Sequence, residues 1–84
     1  MQSLPMILAA IARVAPDVDT ASLPLDVDFR EEAELDSMDF LAVLNAVRDS
    51  TGVEVPEADY GALTTLRRFA EYVDGRLVTD HPGV

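Results

Sequence analysis

Apolar residues in this chain gather into three stretches with the three-and-four spacing of a helix face, and the stretches between lack that period. The first is Leu4, Ile7, Leu8, Ile11 and Val14. Ser3 stands where it can cap this helix, and Pro5 is tolerated in a first turn. Pro16 closes it, because the residue before a proline avoids helical backbone. The second stretch is Leu41, Leu44 and Val47, flanked by Phe40, Val43 and Ala46. Apolar round much of its girth, it is expected to be buried on more than one side, and Gly52 supplies the left-handed residue that ends it. The third is Leu66, Phe69, Ala70, Val73 and Leu77, capped by Thr64 or Thr65. Gly75 weakens its final turn, and Tyr72 is expected at its edge with the hydroxyl in solvent.

The intervening segments read differently. Residues 16–36 hold Pro16, Pro24 and six acidic residues between Asp17 and Glu32, the mark of a long loop. Leu23, Leu25, Val27 and Phe29 alternate as a strand would, but no second strand follows to pair with them. They are expected to be apolar pegs that hold the loop on the bundle, Phe29 foremost. Val53-Glu54-Val55-Pro56 is an extended connector, and Pro56 opens a short helix favoured by Glu57 and Asp59 near its start. The sequence thus predicts one all-α domain over residues 1–84, a four-helix bundle with helices at about 3–15, 37–51, 57–61 and 65–77 and a tail over 78–84. The short helix is the third, and the long loop joins the first two.

Composition narrows the chemistry. Sixteen acidic residues stand against six arginines and no lysine, for a net charge of −10. Such a surface repels nucleic acid and anionic membranes, and it steers in partners with a basic patch. There is no cysteine, hence no disulfide and no thiolate site, which fits a reducing compartment. Met6 to Ala12 resembles a signal-peptide core but lacks a basic lead, and Arg13 interrupts it. No apolar run is long enough to span a bilayer. A soluble cytoplasmic monomer is expected, and Met1 with the short tail points to a free-standing protein.

One serine draws attention. Asp36 can cap the second helix by accepting from the N–H of Met38 or Asp39, and Asp39 can reach back in a carboxylate version of the capping box. Ser37 is then the first helical residue, its hydroxyl free of capping duty and close to unpaired N–H groups that suit a phosphate ester. Nothing supplies a base. His81 is the only histidine, sits in the tail beside Pro82, and reads as a frayed-end residue. No Gly-x-Ser-x-Gly elbow is present. A catalytic serine is therefore disfavoured, and on local physics alone Asp36-Ser37 simply starts a helix.

The larger pattern resembles the acyl carrier proteins. It runs from the first helix through the acidic loop and Phe29 with Glu31-Glu32 to Leu35-Asp36-Ser37-Met38-Asp39. It continues through Gly52, Val53-Glu54-Val55-Pro56, Leu63-Thr64-Thr65-Leu66 and Phe69-Ala70-Glu71-Tyr72-Val73. The resemblance implies a carrier, not an enzyme. Ser37 would receive 4′-phosphopantetheine from coenzyme A through a phosphopantetheinyl transferase, and the acyl group would ride as a thioester on the arm's sulfur. Asp36, Met38, Asp39 and Leu41 would serve recognition by the transferase and by acyl-loading, condensing or acyl-transferring enzymes with basic docking patches. Phe40, Val43, Leu44, Val47, Ala62, Leu66 and Phe69 would line an acyl-chain pocket, although plain core packing is the stronger reading for any one of them.

Departures from the family pattern shape the expectation further. Met38 stands where leucine is common, and Glu34 where glycine is common. Ala42, Asn45 and Arg48 leave the docking helix only Asp39 and Asp49 as acids. That adds weight to a polyketide or other secondary-metabolite pathway beside fatty acid synthesis. Aspartate before Ser37, in place of a peptidyl carrier's Gly-Gly-x-Ser, favours acyl over aminoacyl cargo. The competing reading is an unmodified acidic helical module that acts as a scaffold for a basic partner.

Overall fold

The three predicted long helices form, joined by a one-turn helix: α1 (Leu4–Val14), α2 (Phe29–Glu32), α3 (Ser37–Thr51) and α4 (Leu66–Thr79). The computed structural model describes residues 1–79, with side chains described as far as Leu77. The expectations for His81 and most of the tail lie outside the described residues. Two 3-10 segments complete the order, Thr20–Ser22 in the long loop and Glu57–Leu63 after the connector. The second replaces the short α-helix predicted over 57–61. Pro56 does stand at its N-cap, but the segment is wound more tightly and runs two residues further. Among the described residues no helix is long and apolar enough to cross a membrane.

The core joins all three long helices. Ile7 and Ile11 of α1, Val43 and Val47 of α3, and Leu66, Phe69, Ala70 and Val73 of α4 are fully buried, with Phe29, Leu63 and Val53 between them. A large apolar side chain taken fully out of water contributes about 1.5–3 kcal/mol, so these residues dominate the fold's stability. Helix α3 buries less of its girth than predicted: Leu41 and Ala42 are exposed, and only Phe40, Val43, Leu44 and Val47 are buried. The reason is coverage. Helix α1 lies along one side of α3, and the opposite side meets solvent. Gly52 ends α3 at φ 79°, the left-handed conformation expected of it.

The long loop is anchored, not loose. Phe29 is fully buried, with its ring 6.2 Å from that of Phe40 and 5.8 Å from that of Phe69. Its N–H donates to the Thr64 carbonyl, and the Arg67 N–H donates to the Leu25 carbonyl. The Arg67 guanidinium grips Asp26 with two hydrogen bonds, 2.6 and 3.1 Å, and holds that carboxyl below its ordinary pKa. Leu23 and Leu25 are half-buried as pegs, but Val27 is exposed and pegs nothing.

Two polar expectations are corrected. Ser3 holds the N-cap position of α1 but does not cap it with its side chain. Its buried hydroxyl donates instead to the Ala70 carbonyl on α4. The start of α1 is held by Asp74, whose carboxylate accepts from the N–H groups of Ser3 and Gln2 at 2.8 and 3.0 Å. Tyr72 is half-buried at the edge, but its hydroxyl is engaged by protein and not left to solvent alone. Its hydroxyl donates to Asp59 at 2.7 Å and accepts from Arg76, which ties α4 to the 3-10 segment. Burial first, and the Asp59 bond second, push the phenol above its ordinary pKa. Thr65 settles the other cap, its hydroxyl accepting from the Arg68 N–H at 3.1 Å, and α4 continues through Gly75.

Asp74 links this geometry to pH. Burial works to raise its carboxyl, but the hydrogen bonds from Ser3 and Gln2 and the N-terminal charge outweigh it and leave the pKa lowered. A lowered folded-state pKa gives stability that is present above the unfolded value and is lost as pH falls through the folded one. Asp74→Ala is therefore expected to cost about 1–2 kcal/mol at neutral pH. Urea midpoints of the two proteins should draw together as pH falls from the ordinary carboxylate range through the lowered folded-state pKa of Asp74.

Candidate functional site

The site begins with a turn. Helix α2 is started by Asp28, whose carboxylate accepts from the N–H groups of Arg30 and Glu31. It ends in a Schellman arrangement, with the Leu35 N–H donating to the Arg30 carbonyl and the Glu34 N–H to the Glu31 carbonyl. Such an ending needs a left-handed residue at Glu34, and Glu34 has φ 55°. The chain therefore keeps the backbone that glycine would adopt there, with a residue that is strained in it by about 1–2 kcal/mol. Glu34→Gly is expected to stabilise the protein by about 1 kcal/mol once the extra freedom of the unfolded chain is subtracted. The check is a higher urea midpoint with unchanged helix content.

Leu35 then buries, and Asp36 opens α3. The capping box forms as predicted. Asp36 accepts from the Asp39 N–H at 2.8 Å, and Asp39 accepts from the Asp36 N–H at 3.3 Å. Ser37 is the first residue of the helix and is exposed, and its hydroxyl has no protein partner among the described residues. Capping consumes the Asp39 N–H and leaves those of Ser37 and Met38 without an acceptor among the described residues. Met38 and Leu41 stand outward beside it, 75% and 42% exposed. They form the apolar part of the face that also carries Asp36 and Asp39.

A cleft of about 320 Å³ lies against the serine, lined by Arg30, Ser37, Phe40, Leu41, Glu57 and Tyr60. A second, of about 530 Å³, shares Leu41 and Tyr60 and extends past Leu44, Asn45, Arg48 and Pro56. Phe40 and Tyr60 meet edge to face, ring centres 5.5 Å apart, and form the aromatic wall between core and cleft. The Arg30 guanidinium lies 4.4 Å over the outer face of this wall, on the Phe40 ring.

Of the residues expected to line an acyl pocket, Phe40 reaches the cleft at Ser37 and Leu44 the adjoining one. Val43, Val47, Leu66 and Phe69 are closed within the core. Ala62 is exposed and lines nothing there; its neighbour Leu63 takes the buried position. The 3-10 winding of this segment sets which of the two turns inward. From sequence alone Arg30, Glu57 and Tyr60 are not placed at the site, although Glu57 is expected to favour a helix start. The available signal was Arg30 itself, a cation directly after the buried Phe29 in a stretch dominated by acids.

The donor set fits a phosphate ester on Ser37: an unshared hydroxyl, two open N–H groups at a helix start, one nearby guanidinium, and a cleft that leads away between α3 and the 3-10 segment.

A family model described as "phosphopantetheine attachment site" matches residues 6–73. The chain is similar to the acyl carrier protein of Rubrobacter xylanophilus, 29% identical over 70 residues that cover 80% of this chain and 86% of the relative. It is similar to that of Micrococcus luteus, 26% identical with 89% and 96% covered, and to that of Treponema pallidum, 25% identical with 92% and 99% covered. No solved structure gives a significant match.

Proposed function

We propose, since the chain belongs to the acyl carrier protein family, that Ser37 is the attachment point of its 4′-phosphopantetheine and that the loaded protein presents acyl intermediates to partner enzymes. The carrying observation is the exposed, unshared Ser37 hydroxyl at a helix start already capped by Asp36 and Asp39. In the attachment step, catalysed by a transferase, Ser37 Oγ bonds to the pantetheine-side phosphorus of coenzyme A. The bond to the adenosine bisphosphate breaks, that group leaves, and the hydroxyl proton passes to the transferase's base. When bound, the arm supplies the thiol that this cysteine-free chain lacks.

The chain's own residues do the rest. Asp36 and Asp39 hold the helix start rigid, which fixes the direction of Ser37 Oγ. Met38 and Leu41 offer an apolar contact to a docking enzyme, with Asp36 and Asp39 as the charges that a basic patch would meet. Behind this face Arg48 is paired with Glu54 at 3.4 Å, so the docking surface is not uniformly acidic. This mixed character supports a dedicated partner set, in polyketide or other secondary-metabolite synthesis beside fatty acid synthesis. The working form is a cytoplasmic monomer without stable membrane or nucleic-acid association, in keeping with the −10 charge. The test is a transfer assay with coenzyme A, magnesium and a broad-range phosphopantetheinyl transferase, read by intact mass.

A further inference from the structure

We propose that Arg30 is the counter-charge for the phosphodiester on Ser37 and holds the first part of the arm in the cleft beside α3. The inference rests on Ser37 being the attachment point and names the residue that receives the group.

Three observations converge on it. Arg30 and Ser37 line the same cleft. Arg30 is also held in place from below. The buried Phe29 and the Asp28 cap fix α2, and the guanidinium carbon lies 4.4 Å from the centre of the Phe40 ring, over its face. Finally, Arg30 has no carboxylate partner within ion-pair distance among the described residues, in a chain of sixteen acids and six arginines. Arg48, Arg67 and Arg76 each pair with an acid; Arg13 and Arg68 also form no ion pair among the described residues, but neither lines the cleft at Ser37. Glu57 shares the cleft yet forms no ion pair with Arg30.

A cation held over a ring and left without an acid suits an anion that arrives later. A phosphodiester carries one negative charge throughout the ordinary pH range. A guanidinium meets its oxygens with a planar fork while stacking on an aromatic face, which lysine cannot do. The open N–H groups of Ser37 and Met38 approach the same phosphate from the helix end. With the phosphate so held, the pantetheine chain starts along the Phe40 and Tyr60 wall. The alternative is that Arg30 only covers Phe40, and in that case it would not respond to the arm.

The experiment compares apo and holo protein by NMR after intact mass has verified loading. The Arg30 Nε–H cross-peak, identified by its absence in Arg30→Gln, is expected to shift on conversion of wild type from apo to holo. The phosphorus resonance of holo Arg30→Gln is expected to differ from that of wild type. Both differences should shrink at about 1 M salt, where the screening length falls to about 3 Å. Holo Arg30→Lys should fall between the two. Full loading by mass together with an unmoved Arg30 cross-peak and coincident phosphorus resonances would overturn the inference while leaving the attachment site intact. Failure to load at all would instead overturn the assignment of Ser37. The Arg30 cross-peak can also be assigned through bonds in wild type alone, so the apo-to-holo comparison stands even if a variant does not fold.

Discussion

Phe29→Ala is expected to cost about 3–5 kcal/mol of folding stability, the usual range for emptying a buried phenylalanine site. Phe29 is fully buried and packs its ring, tilted, against both Phe40 of α3 and Phe69 of α4. It is the point at which the acidic loop joins two helices. A domain of 84 residues has about 4–13 kcal/mol in total at typical stability per residue, so this loss takes much of it. Phe29→Leu, which fills most of the space, should cost about 1 kcal/mol. Urea unfolding at neutral pH separates the cases. A loss for Phe29→Ala of less than about 1 kcal/mol would mean that the loop is not docked as described. The effect also reaches the site, because Phe29 anchors α2, which carries Arg30.

The long helices were legible because their apolar faces repeat at helical spacing over several turns, and Gly52, Pro16 and Asp36 mark ends by local chemistry that needs no partner. The capping box at Asp36 and Asp39 was legible for the same reason. What sequence alone missed depends on contacts between distant segments. Ser3 looked like a cap, but its hydroxyl found the Ala70 carbonyl and Asp74 took over the helix start. Tyr72 looked solvated until Asp59 came within 2.7 Å from another element. Ala62 and Leu63 differ only in which one a 3-10 turn directs inward, and no periodicity of three to five residues decides that. Glu34 is a milder case: it stands where glycine is common, and its backbone takes the left-handed conformation all the same, at φ 55°. Arg30 escaped notice because its meaning lies in where it sits, over the Phe40 ring in the cleft at Ser37 with no acid paired to it, and that is visible only in three dimensions.

Ser37→Ala is expected to abolish attachment altogether while leaving the fold almost untouched. The hydroxyl has no protein partner among the described residues, and the helix start is capped by Asp36. Alanine is a good helix former, so the stability change should stay within about 0.5 kcal/mol. Loss of loading in this variant therefore reports lost chemistry, not lost structure. Other hydroxyls offer an internal control: Ser22 is bonded to Asp19, and Thr64 to the Gly61 carbonyl.

The most direct measurement is the intact mass of wild type and Ser37→Ala after identical incubation with coenzyme A, magnesium and a broad-range phosphopantetheinyl transferase. Wild type should gain the mass of one phosphopantetheine, mapped by fragmentation to the peptide that holds Ser37, and Ser37→Ala should gain nothing. An unmodified wild type, or an equal gain in the variant, would contradict the assignment of Ser37 as the arm's attachment point.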